Sequence, residues 1–150
     1  MSTTQSLLYL GSYAPADRPG IYTCTFDEAS GELKPRGAFA GIANPSFILV
    51  HPHGRWLYAV SETSPQKDGA PGAIWALRWS PEIWSTEPVN HQASGGDWPC
   101  HLEMDATGQW LLVSNYGSGS VGVLLVLPDG ALGELTDLVQ HQGRGAQAER

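Results

Sequence analysis

The segment Pro45–Glu62 lies over the segment Pro99–Tyr116 without a gap, so that Pro45, Gly54, Trp56 and Leu57 fall on Pro99, Gly108, Trp110 and Leu111 at a constant offset of 54. The run Leu8–Tyr13 matches the second half of the same unit at an offset of 49. Each copy is followed by a glycine and a second apolar run, beginning at Gly20, Gly72 and Gly119. A period near 50 residues with several strands in each unit is the mark of a β-propeller blade. That repeat excludes most other architectures at once.

Within a unit the punctuation predicts four strands, A (innermost) to D (outermost). Strand A is expected at Ser46–His51 and Cys100–Asp105, ending in tight turns at Gly54 and Gly108. Strand B is expected at Trp56–Ser61 and Trp110–Asn115, rich in the β-branched and aromatic types that suit a pleated surface. Strand C is the apolar run after the glycine. Strand D is the weaker stretch around Arg36–Ala40, Val89–Ala93 or Leu135–His141. No window keeps apolar residues at i, i+3, i+4 and i+7, so a helical reading fails. The expectation is an all-β fold of about three consecutive four-stranded blades near 6–41, 42–95 and 96–143, with a tail at 144–150. The first blade lacks its inner strand, giving about eleven antiparallel strands with open edges that predict self-association.

Composition supports this and narrows function. Gly 18 and Pro 11 supply the turns, while charged residues at 15% are too few for a coiled coil and six Trp too many for a disordered tail. A net charge of −7 argues against nucleic-acid binding. No apolar run approaches the ~18 residues of a membrane helix. The start lacks the basic and apolar regions of a secretory leader. With two cysteines, too few for a disulfide framework, a cytoplasmic location is expected.

Propeller geometry selects the candidate site. D-to-A and B-to-C connections emerge on one face, which brings Asn44, His101, Tyr13, Glu62, Asn115 and Tyr116 toward one mouth near the ring axis. His51 and His53 fall on the opposite face, which argues against reading them as a metal pair. Cys100 and His101 are adjacent strand residues pointing to opposite sides, so they cannot form a thiol–imidazole dyad. Each candidate also has a plain structural reading: His101 as a packed strand residue, Glu62 as a loop cap, Asn44 as a turn residue, Asn115 and Tyr116 as the opening of a Gly-Ser-Gly turn.

Leu8–Tyr13, Asn44–Phe47, His51–Glu62, Gly95–Leu102 and Ser114–Val121 together resemble the bacterial seven-bladed propeller lactonases. That group includes the propeller-type 6-phosphogluconolactonases and is similar to fungal carboxy-muconate cyclases. The resemblance extends through Val139–Gly143; the family continues with a Pro-His-x-His motif and further blades, which places part of its pocket outside this chain. It implies a propeller of the lactonase type that opens a small-molecule sugar lactone without a cofactor or metal. In that reading His101 or Glu62 is the base that takes a proton from water, and Asn44, Asn115 or the phenols Tyr13 and Tyr116 bind substrate and the developing oxyanion. Arg18, Lys67 and Arg144 are the cations available for a phosphate. Two alternatives stand beside it. One is a metal-assisted propeller hydrolase holding Ca²⁺ on Glu62, Asn44 and Asn115; the other is a non-catalytic binding propeller or an inactive truncated product.

Overall fold

The computed structural model describes residues 5–143. Eleven strands form three sheets in chain order. The first holds β1 (Gln5–Gly11), β2 (Pro19–Asp27) and β3 (Leu33–Ala40). The second holds β4 (Ile48–Val50), β5 (Trp56–Ser61), β6 (Ala73–Ser80) and β7 (Ser85–Ala93). The third holds β8 (Pro99–Met104), β9 (Trp110–Asn115), β10 (Ser120–Val126) and β11 (Leu132–Gln140). Every pairing is antiparallel between neighbours in the chain. The expected fold class and blade strand order are found, and among the described residues β1 pairs only with β2. The one α-helix among the described residues is α1 (Pro65–Asp68), capped by Ser64 and ended by Gly69 at φ 72°.

Strand bounds differ from expectation where local hydrogen bonds intervene. β4 is only Ile48–Val50, because Ser46 N–H turns back to the Asn44 carbonyl and His51 N–H already closes the next turn on the Trp56 carbonyl. The D strands begin earlier than expected, at Leu33, Ser85 and Leu132, and each runs on through a β-bulge that holds one extra residue. The breaks fall between Thr23 and Cys24, Ala76 and Leu77, and Val123 and Leu124, the same place in each blade. Pro35 and Pro88 pair at two of them, where an outer strand can spare a donor.

The core lies between the sheets. β5 alternates its side chains: Leu57 and Ala59 join Ile21, Ile42 and Leu77 in the layer against the first blade. Tyr58 and Val60 join Ile74, Leu102, Leu111, Val113 and Leu124 in the layer against the third. The middle blade is therefore buried on both faces, while Trp110 on the far face of the third remains 38% exposed. Its repeat equivalent Trp56 packs against the second layer. Polar contacts lock the same interfaces. The Asn90 side chain donates to the Leu132 carbonyl at 2.7 Å and accepts its N–H at 2.9 Å. His51 accepts the His53 N–H at Nδ1, which leaves Nε2–H to donate to the Gly108 carbonyl at 3.2 Å. The opposite-face histidine is a staple between blades.

Two outcomes follow. Leu57→Ala and Leu111→Ala, one in each layer, are each expected to cost about 2–5 kcal/mol in urea unfolding, because both side chains are fully buried. Asp105 caps its turn through Thr107 Oγ1 and the N–H groups of Thr107, Gln109 and Trp110, which lower its pKa from 3.8 to about 2. A depressed carboxylate stabilises above its unfolded pKa and loses that contribution as pH falls through the folded value. The Asp105→Ala variant should therefore show less loss of stability than the parent between pH 4 and pH 2 in an acid titration followed by circular dichroism.

Candidate functional site

A repeated pair of backbone hydrogen bonds builds the site. Asn44 N–H donates to the Ala14 carbonyl of the first blade at 2.7 Å, and its own carbonyl accepts from Glu62 N–H at 3.2 Å. One repeat later Trp98 N–H donates to the Thr63 carbonyl at 3.0 Å, and its carbonyl accepts from Tyr116 N–H at 3.0 Å. The residue before each proline thus ties the end of the preceding blade's B strand to the end of its own. Both residues adopt left-handed backbone, Asn44 at φ 47° and Trp98 at φ 51°. Trp84 is the only other non-glycine with positive φ among the described residues. Such conformations cost on the order of 1–3 kcal/mol and collect at functional sites.

These ties bring Tyr13, Asn44, Glu62, Lys67, Asp68, Trp98 and Tyr116 around a cleft of about 320 Å³. Glu62 is its most organised group. Its Oε2 accepts the Tyr13 hydroxyl at 2.9 Å and also the Ser46 hydroxyl, which leaves Oε1 for the cleft. Tyr13 and Tyr116 stand 72% and 64% exposed at the rim. Asn44 is committed to the scaffold, donating Nδ2 to the Glu62 carbonyl at 3.3 Å. Lys67 lies 5.8 Å from the centroid of the Trp98 ring, whose Nε1–H donates to Asp68 Oδ2 at 3.4 Å. Donation to Glu62 raises the Tyr13 pKa above 10.0, with the carboxylate charge adding to it. Burial, and then the Glu62 charge, push the Cys100 thiol up.

Four of the six candidates, Tyr13, Asn44, Glu62 and Tyr116, share the cleft; two do not. Asn115 is 2% exposed and donates Nδ2 to the Ser94 carbonyl and to Ser120 Oγ. It has the strand parity of Leu111 and Val113, so it points into the blade interface and away from the mouth. Its plain structural reading describes it. That placement also separates the three oxygens proposed for Ca²⁺, since Asn115 faces Ser94 while Glu62 faces the cleft. His101 rests on Phe47, its repeat equivalent, with ring centroids 4.6 Å apart, outside the cleft lining. A bulge between Pro99 and His101 alters the alternation there. Cys100 donates to the Ser114 carbonyl at 3.7 Å, so the two adjacent side chains form no dyad. Arg18 is not in the lining, and Arg144 lies outside the described residues.

Sequence reasoning missed Trp98, Asp68 and Ser46. Trp98 carried a usable signal, because it occupies the repeat position of Asn44. The tie between Tyr13 and Glu62 can be read directly: in Glu62→Gln the Tyr13 titration should fall back toward 10.0 in an ultraviolet phenol titration. A Tyr13 pKa that stays raised in the variant would assign the shift to another cause.

The sequence profile of the family described as Lactonase, 7-bladed beta-propeller matches residues 7–150. A protein named 6-phosphogluconolactonase from Bacillus subtilis is 28% identical over 142 residues, 95% of this chain and 39% of its own length. One of the same name from Formosa agariphila is 30% identical over 92% of this chain and 38% of its own length. The solved structure of the Pseudomonas aeruginosa periplasmic gluconolactonase superposes with a TM-score of 0.87 at 27% identity, covering 97% of this chain and 41% of that one. The chain thus spans about 40% of the length of the relatives it matches.

Proposed function

The chain belongs to the seven-bladed β-propeller lactonase family, and from that premise we propose that its cleft is one wall of a site that hydrolyses a sugar lactone. The observation that carries the reading is Glu62. Its Oε2 is held by two hydroxyl donors, and among the described residues its Oε1 has no partner beside a cleft of substrate size. Hydrolysis needs a base for water and donors for the oxyanion. In the proposed step Glu62 Oε1 takes a proton as water adds to the lactone carbonyl. The ring C–O bond then breaks, the leaving oxygen takes up the proton, and the resulting aldonic acid ionises, releasing one proton to solvent. Tyr116, exposed in the same cleft lining, serves as a hydroxyl donor to substrate. His101 remains the alternative base, and an unchanged rate in His101→Ala would remove it.

Opening of this kind belongs to carbohydrate metabolism, and to the pentose phosphate pathway where the lactone carries a 6-phosphate. A cytoplasmic location is part of the proposal; recovery of the chain in the periplasm, the compartment printed for the P. aeruginosa relative, would overturn that part. So is self-association, since β1 pairs only with β2 among the described residues. Light scattering should read a mass above 16.1 kDa.

The activity is checked by proton release from D-glucono-δ-lactone at constant pH. The 150-residue chain is expected to turn over below the ~10 s⁻¹ of ordinary enzymes, because three blades leave the cleft open to water and weaken each electrostatic contact. Glu62→Gln should reduce that rate by about 10²-fold or more, the usual worth of a general base. A chain that does not accelerate hydrolysis over buffer would overturn the reading; an unaltered rate in the variant would remove Glu62 from it.

A further inference from the structure

We propose that the part of the cleft built by these three blades takes the uncharged, hydroxyl-rich ring of its substrate and not a phosphate group. This rests on the lactonase reading and narrows which end of the substrate lies here. Among the described residues, two carboxylates, Glu62 and Asp68, line the cleft against one cation, Lys67. Among the described residues Glu62 Oε1 has no hydrogen-bond partner, and Asp68 uses Oδ2 for Ser64 N–H at 2.9 Å and for the Trp98 indole. Ionised carboxylates only accept hydrogen bonds, and a phosphate likewise offers mainly acceptors, so the two do not match. Sugar hydroxyls, which donate as well as accept, do.

The remaining surface fits the same ligand. Tyr13 and Tyr116 expose most of their rings beside the carboxylates, and an aromatic ring has an apolar face and a polar tip. The faces can cover the C–H side of a pyranose while the Tyr116 hydroxyl reaches its oxygens. Lys67 is already placed over the Trp98 ring, and the whole chain carries −7. A dianion approaching this wall meets repulsion that a neutral ring does not.

The test uses two probes that lack a lactone carbonyl, 1,5-anhydro-D-glucitol and its 6-phosphate, titrated into the 150-residue chain while the Trp98 indole N–H is followed by NMR. The neutral polyol should shift that signal, with the 6-phosphate binding at least about tenfold more weakly, about 1.4 kcal/mol. Raising the salt should narrow the gap by screening, and Asp68→Asn should narrow it at fixed salt. Tighter binding of the 6-phosphate, lost in Lys67→Ala, would overturn the proposal, and so would binding of neither probe. Because neither probe can be hydrolysed, this outcome is separate from the proton-release assay: either can fail while the other stands.

Discussion

The hydrogen-bond pair at the residue before each proline is the constraint on which the rest depends. It ties the end of one blade's B strand to the next blade through Asn44 and again through Trp98, with the same donors and acceptors one repeat apart. The backbone there must run left-handed, a conformation disfavoured for a tryptophan and doubly so before a proline. The surrounding packing holds it. Gly11 shows how closely: a Cβ there would collide with the Pro45 carbonyl. The loops that carry Glu62 and Tyr116 are positioned by this tie before any side chain takes part.

Strand parity does the rest, and it explains what could be read in advance. The B strands Trp56–Ser61 and Trp110–Asn115 were legible because their runs of apolar, aromatic and β-branched residues suit a pleated, packed surface. β4 was overestimated because hydrogen bonds at Asn44 and His51, invisible in a hydropathy pattern, end it early. The D strands were underestimated because their bulges interrupt the period that a reader counts.

The same physics separates the candidate residues that converge from those that do not. Tyr13, Glu62 and Tyr116 follow their strands by one or two residues, where the loop turns them over the mouth. Asn115 is still within β9 and obeys its alternation, so it is buried. Topology alone places both groups at the same end of the ring; only parity distinguishes them. His101 rests on Phe47 outside the cleft lining, beside a bulge that alters the local alternation. Trp98 and Ser46 were overlooked because neither residue type announces chemistry, although each stands in a repeat position next to one that does.

Comparing the copies position by position separates scaffold from site. Where they agree, at Pro45 and Pro99, Gly54 and Gly108, or Leu57 and Leu111, the shared residue serves a turn or an interface that every blade must make. Where they differ at the ends of equivalent strands, the side chains that line the candidate cleft are found. Glu62 stands where the next copy has Tyr116, Asn44 where it has Trp98, and Ser46 where it has Cys100. The Glu62 carboxylate is held because the preceding copy places Tyr13 against it and its own blade supplies Ser46. Neither contact exists within a single sequence motif, so no local pattern could announce the group. The site is assembled between repeats, from the positions at which they have diverged, on a backbone arrangement that they have kept.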